Sequence, residues 1–181
     1  MISLELSESN FGMLNLYMQQ GPVKVTQLAS RALNRTISAV KTEQIRSAKD
    51  KYTLKSGTYK GVNVRNSNPG SLMASVNAQG SPISIDNFKV SSKKRTNKQV
   101  RITAEIKKGQ SKSLGDSFIG YYNKSSIFHR IGAERVPLKQ LFGPSLPQML
   151  GEVSILDQLM LFSNAKFNER FEHEFNFEFN K

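Results

Sequence analysis

The sequence contains no cysteine and no tryptophan, and only two of its 181 residues are histidines. Without thiols the chain has no disulfides, no thiolate metal ligands and no cysteine nucleophile. A metal site would need carboxylates, but the Asp and Glu residues are scattered and not grouped at ligand spacings. His129 and His173 stand far apart, and we interpret each as an ordinary polar residue. We therefore expect neither a metal nor a cofactor.

Catalytic motifs and long apolar runs are also missing. Ser145 lies in Gly143-Pro144-Ser145-Leu146-Pro147, which is not the Gly-x-Ser-x-Gly elbow of hydrolases. No P-loop and no dinucleotide-binding glycine motif occurs. No apolar run approaches the ~20 residues of a membrane helix, and the first residues lack the basic segment of a signal peptide. We expect a protein that is made without secretion, has no membrane segment and is not an enzyme.

Acidic residues are scarce relative to basic ones, with 14 Asp and Glu against 26 Lys and Arg, a formal charge of +12. The charge is unevenly placed. Residues 20–65 hold ten basic and two acidic residues, residues 85–113 hold nine and two, and residues 151–181 hold three and six. Such a basic chain attracts polyanions, of which nucleic acid is the commonest. Self-assembly, with the acidic end of one copy on the basic body of the next, is the alternative.

Apolar periodicity predicts helices at both ends of the chain. Residues 2–6 alternate as a short strand, and residues 7–20 suit a short helix ended by Gly21-Pro22. Residues 23–51 contain neither Gly nor Pro and carry apolar residues at steps of mostly three or four, which predicts a long helix. Residues 51–69 read as a loop with at most one short helical turn. Residues 148–168 again have helical spacing, and period-two spacing follows from Phe171.

Between the helices, period-two runs predict strands. They lie at residues 72–78, 83–90, 100–106, 118–122 and 126–131. The predicted fold is therefore α+β, with a long N-terminal helix packed on a mostly antiparallel sheet of about five strands and a C-terminal helical arm. We divide the chain into an N-terminal strand and short helix at residues 1–21, a core domain at 22–150, and a C-terminal helix with a Phe/Glu-rich arm at 151–181.

Two groups of basic residues are candidates for contact with DNA or with an acidic partner. Arg31 and Arg35 lie on the long helix, away from much of its apolar stripe. Residues 91–98 link two predicted strands, contain no apolar residue and are expected to protrude. Their basic members are Lys93, Lys94, Arg95 and Lys98. A solvated helix face and a merely solubilising loop are the alternatives.

Two further segments are candidates for subunit interfaces. The first is the proline-stiffened stretch with Phe142, Gly143, Pro144, Ser145 and Pro147, which either orients the following helix or forms a turn between subunits. The second is the end of the chain, where phenylalanines alternate with glutamates, an arrangement typical of a contact surface. We predict that its rings dock on a neighbouring subunit: Phe171, Phe175, Phe177 and Phe179.

The sequence resembles the prophage minor tail protein Z family over residues 25–150. The resemblance is carried by residues 31–35, 70–76, 80–83, 88–90, 118–119, 128–130, 136–138 and 141–150. Its most specific part is Phe-Gly-Pro-Ser-Leu-Pro-Gln-Met at residues 142–149. Both ends of the chain depart from the familiar pattern.

The resemblance implies a structural tail-completion protein of a tailed bacteriophage or prophage. Such a protein finishes the head-proximal end of the tail and helps to join it to the head. It would form a ring matched to a sixfold tail tube, contact tail-tube and head-tail connector proteins, and surround DNA passing through the neck. Its place would be the neck of the virion, after assembly in the host cytoplasm. The alternative is a stand-alone basic nucleic-acid-binding protein.

Overall fold

The structure is a computed structural model that describes residues 2–4, 22–91, 101–122 and 124–179. Side chains are described within these ranges except at residues 2–4, 22–24, 121–122, 124–125 and 179. The chain divides into two compact units. The first comprises the described parts of residues 1–45, 62–78 and 150–181, and the second those of residues 46–61 and 79–149. The short helix expected at residues 7–20 lies outside the described residues.

The predicted long N-terminal helix is confirmed as α1, Pro22–Lys51. Its residues up to 45 belong to the first unit. Because 3.6 residues complete one turn, apolar residues three or four apart share one face. The buried residues follow this spacing: Val25, Leu28, Ala29, Ala32, Leu33, Ile37 and Val40. This stripe is the contribution of α1 to the first unit's core.

A three-stranded antiparallel sheet belongs to the same unit. It contains β1 (Ile2–Leu4), β2 (Val62–Arg65) and β3 (Ala74–Ala78) in the order β1-β3-β2. Val64 pairs with Val76, and Val62, Ala74 and Val76 are buried. Strand β2 falls in the stretch expected to be a loop, and that expectation was wrong. The alternation Val62-Asn63-Val64-Arg65 is too short to stand out from its polar surroundings.

The second unit contains three small antiparallel sheets. β4 (Pro82–Ser84) pairs with β11 (Phe142–Ser145). β5 (Lys89–Val90), β6 (Thr103–Glu105) and β7 (Ser111–Ser113) form the second sheet. β8 (Ser117–Tyr122), β9 (Lys124–Arg130) and β10 (Leu138–Gln140) form the third, in the order β10-β9-β8. The core cluster of this unit consists of Ile85, Ile102, Ala104, Ile119 and Ile127.

The α+β class is confirmed, but the strand arrangement differs from the prediction. The described residues form four sheets of two or three strands, where one sheet of about five was expected. One cause is the 3-10 turn Ile85–Asn87, which interrupts the strand expected at residues 83–90. The strand on either side of this turn is only two or three residues long.

Two helices end the chain. α2 (Leu146–Leu150) is short, and α3 (Val153–Phe179) is long. Ile155, Leu159, Ser163, Phe167 and Phe171 are all buried at steps of four residues. The helical pattern therefore continues through Phe171, and the expected change to strand-like spacing there was wrong. None of the described helices is long and apolar enough to cross a membrane.

Candidate nucleic-acid interface

The positive charge is concentrated in the second unit. Residues 46–61 and 79–149 hold 18 Lys and Arg against five Asp and Glu, a formal charge of +13. The remaining residues hold eight Lys and Arg against nine Asp and Glu, a formal charge of −1. The uneven charge seen along the sequence therefore becomes a separation between the two units. A unit with this charge attracts polyanions.

Lysines of the second unit lie over tyrosine rings. The Nζ of Lys49 lies 5.6 Å from the ring centre of Tyr59, and the Nζ of Lys107 lies 5.7 Å from that of Tyr52. Both tyrosines are buried, and burial raises the pKa of Tyr59 above its usual value. A cation over an aromatic face is stabilised by the ring quadrupole. These contacts limit the positions that the two ammonium groups adopt.

The two candidate arginines of α1 lie in the first unit, where they meet an acid of the same chain. The Nη1 of Arg35 lies 2.6 Å from Oε1 of Glu174, and the Nη1 of Arg31 lies 3.9 Å from Oε2. The Glu174 side chain is 5% exposed, whereas those of Arg31 and Arg35 are about half exposed. The Arg35 distance is that of a close ion pair, although no hydrogen bond of good geometry reaches Oε1. The acidic partner that these arginines contact is thus their own C-terminal helix.

The four basic residues Lys93, Lys94, Arg95 and Lys98 lie outside the described residues. Their contact with phosphate or with an acidic partner stays a prediction. The described chain resumes at Arg101, which is exposed.

Arg101 lies at a groove that the sequence analysis did not identify. The groove has a volume of about 580 Å³ and is lined by Arg101, Gly115, Asp116, Ser117, Phe118, His129, Arg130, Gly132 and Ala133. Strands β8 and β9 bring its walls together, since Ser117 pairs with His129 and Phe118 with Phe128. The Arg130 guanidinium lies 5.3 Å from the ring centre of Phe118. The only sequence signal was the pair His129-Arg130 at the end of a predicted strand.

The candidate interface segment around Gly143 has clear tasks within its own unit. Ser145 N donates to Oε1 of Gln148 at 2.9 Å, and Gln148 N donates to Oγ of Ser145 at 3.4 Å, which is a capping box for α2. A Cβ on Gly143 would lie 2.8 Å from Cε2 of Phe88. Pro144 and Pro147 are partly buried and Ser145 is buried, whereas Phe142 is 53% exposed. The segment therefore orients α2, and the ring of Phe142 is exposed to solvent.

The C-terminal phenylalanines differ in exposure. Phe171 is 6% exposed and its ring stacks on that of Phe167, with the ring centres 5.8 Å apart. Phe175 is half-buried and Phe177 is 56% exposed. The side chain of Phe179 lies outside the described residues. Phe171 thus belongs to the core of its own chain and is not accessible to a neighbouring subunit, while Phe177 has the exposure that docking requires.

Within the described residues, no three His, Asp or Glu side chains are grouped so that they could hold a metal ion. No protein-family model matches the chain, and no curated protein and no solved structure matches it either.

Proposed function

We propose that this protein is a structural tail-completion protein of a tailed bacteriophage or prophage. In this role it finishes the head-proximal end of the tail and helps to join the tail to the head. The observation that carries the proposal is the resemblance of residues 25–150 to the prophage minor tail protein Z family, above all the segment at residues 142–149.

Several residues that carry the resemblance have specific structural tasks in this chain. The Nδ2 of Asn34 donates to the carbonyl oxygen of Ser67 at 3.1 Å, and Ser67 N donates to Oδ1 of Asn34 at 2.6 Å. These two hydrogen bonds attach the segment between β2 and β3 to α1. In the second unit, Gly143 gives room to the Phe88 ring and Ser145 caps α2. Each of these tasks needs the particular residue type that the sequence has at that position.

The segregated charge also supports the proposal. A neck protein surrounds the path of the genome, so a strongly basic unit is suited to face DNA, whereas a nearly neutral unit is suited to contact protein. Under this proposal copies of the chain form a ring matched to the sixfold tail tube. The ring contacts tail-tube and connector proteins and ends in the neck of the virion.

Deletion of the gene from the phage or prophage that encodes it tests the proposal. We expect a lysate with separate heads and tails, few joined particles and a low titre, because only the joining step is lost. Expression of the protein in trans should restore joined particles, which controls for effects on neighbouring genes. Electron microscopy and plaque counts are the readouts. Joined virions at normal titre in the deletion lysate would contradict the proposal.

A stand-alone nucleic-acid-binding protein is the second candidate, and the charge of +13 on the second unit favours it. This candidate predicts that the deletion leaves particles intact while the purified protein still binds DNA. The mass of the purified protein, alone and with DNA, separates the two further. A ring of copies favours tail completion, and a DNA-bound monomer favours the alternative.

A further inference from the structure

The groove at the ends of β8 and β9 offers more hydrogen-bond donors than its own residues use. Among the described residues, no carboxylate lies within 4 Å of the charged groups of Arg101 or Arg130. Both arginines are exposed in the groove wall. Each guanidinium has five N–H donors in a planar fork and no acceptor. Two such forks on one groove are an arrangement suited to an anion.

One neighbour strengthens this arrangement. The Phe118 ring lies under the Arg130 guanidinium, which limits the positions that this flexible side chain adopts. The two side chains share one face of the β8–β9 pair, since Phe118 pairs with Phe128, two residues before Arg130, and side chains alternate between faces along a strand.

We infer that this groove binds the phosphate of a nucleotide unit. One carboxylate is satisfied by a single guanidinium fork, whereas a phosphate accepts from several donors at once and suits two arginines. A volume of about 580 Å³ exceeds what a lone phosphate needs and lies within the range of small-molecule sites. Asp116 is the wall's one carboxylate and can accept a hydrogen bond from a sugar hydroxyl or a base amino group. The unit is therefore a nucleotide, either free or within a strand.

This inference does not depend on the proposed function. A neck protein around a DNA strand and a stand-alone nucleic-acid-binding protein would both use such a groove. A deletion experiment that contradicts tail completion would not affect the groove inference. A binding experiment that contradicts the groove inference would not affect the tail-completion proposal.

The test compares two full-length double variants that lose the same charge. R101Q/R130Q removes the two groove arginines, and K108Q/K139Q removes two exposed lysines that do not line the groove. The probe is a fluorescent single-stranded DNA oligonucleotide, with deoxyadenosine monophosphate, inorganic phosphate and polyglutamate as competitors. Kd is measured over a range of salt concentrations by anisotropy. Circular dichroism and urea unfolding verify that each variant is folded.

We expect R101Q/R130Q to raise Kd by about tenfold or more and to reduce the slope of log K against log salt by about 0.7, since the two arginines hold one phosphate and each phosphate contact on a single strand contributes about 0.7. K108Q/K139Q should change both quantities much less. R130K, which keeps the charge but loses the fork, should fall between wild type and the double variant. Displacement by the mononucleotide would indicate a free nucleotide, and binding of the oligonucleotide alone would indicate a strand.

Equal weakening by the two double variants would overturn the inference, because only the overall charge would then matter. Absence of binding by every phosphate probe would also overturn it. Displacement by polyglutamate but not by phosphate compounds would assign the groove to an acidic protein and contradict the assignment to a nucleotide.

Discussion

At the scale of single residues, the contact between Gly143 and Phe88 shows how closely the second unit is packed. The Phe88 ring is 1% exposed, so it cannot move aside into solvent. The Phe88 ring fits here because Gly143 has no side chain. This contact is not predictable from the sequence, because a close approach between distant residues leaves no local pattern.

Replacing Gly143 with alanine should destabilise the protein. The new Cβ would lie 2.8 Å from Cε2 of Phe88, which is closer than such atoms can pack. Overpacking of this kind costs about 1–3 kcal/mol of the free energy of unfolding. Gly57→Ala is the matched control, since nothing lies within 4 Å of its added Cβ. Urea denaturation is the measurement, and equal midpoints for the two variants would contradict the packing described here.

Glu105 should titrate below its ordinary pKa of 4.5. The hydrogen bond from Lys89 Nζ at 2.7 Å lowers the pKa of this carboxyl most, followed by that from Gly109 N at 2.8 Å. Because the folded-state pKa is lowered, the stabilisation is present above the ordinary pKa and is lost as the pH falls through the lowered value. K89Q should raise the pKa of Glu105 towards 4.5, and K108Q should not. NMR titration of the side chain tests this, and an unshifted wild-type Glu105 would refute it.

At the scale of elements, α3 is held by both packing and charge. Phe167 and Phe171 stack in the core, and Glu174, one turn further on, reaches Arg31 and Arg35 of α1. These contacts explain why the helix continues where the sequence pattern suggested otherwise. Burial of the Phe171 ring stabilises the helix, and the ion pair with Arg35 offsets the cost of burying the Glu174 carboxylate, whereas the phenylalanines at positions 175 and 177 retain partial exposure.

Phe171→Ala should cost far more stability than Phe177→Ala. A buried phenylalanine replaced by alanine loses about 3–5 kcal/mol, and Phe171 is 6% exposed against 56% for Phe177. Deletion of residues 171–181 should therefore destabilise the chain itself. If Phe177 docks on a neighbouring subunit, Phe177→Ala should reduce assembly with the fold intact. Equal urea midpoints for the two alanine variants would contradict this account of the arm.

The Glu174 ion pair predicts an asymmetry between its two partners. Arg35→Gln leaves Glu174 buried with only the distant Arg31 for compensation, and an unsatisfied buried group costs about 1–3 kcal/mol. Glu174→Gln should cost less, because water solvates the half-exposed Arg35. Glu172→Gln, on an exposed residue of the same helix, is the control. Urea unfolding in which Arg35→Gln is no more destabilising than Glu174→Gln would show that the carboxylate does not need this arginine.

The elements with strong periodicity were predictable, and their pairings were not. Helix α1 was expected at residues 23–51 and spans Pro22–Lys51, and strand β8 was expected at 118–122 and spans Ser117–Tyr122. The short strand β2 has too few alternating residues to be recognised. The fold brings together residues that are far apart in the sequence, such as Arg35 with Glu174 and Arg130 with Phe118. Local sequence patterns carry no information on such contacts, so neither the ion pair nor the groove was predicted.

At the scale of the whole molecule, the two units differ most in charge. With +13 on one unit and −1 on the other, the net charge of +12 belongs to the second unit. Self-repulsion within such a unit is reduced when a polyanion neutralises it. Under the proposed function, the basic unit would meet DNA and the nearly neutral unit would meet protein.

Changing Lys93, Lys94, Arg95 and Lys98 together to glutamine should weaken binding to unrelated DNA duplexes about equally and flatten its salt dependence. Phosphate contacts release counterions without reading bases, and each contributes about 0.9 to the slope of log K against log salt on duplex DNA. Filter binding at several salt concentrations provides the measurement. An unchanged slope would assign these residues to solubility or to a protein partner.

The measurement that tests the central claim most directly is a cryo-EM map of the assembled phage particle. The account predicts density for this protein as a ring at the head-proximal end of the tail, with the basic second unit towards the DNA channel and the first unit towards protein neighbours. Absence of the protein from purified virions, or its location away from the neck, would contradict the account.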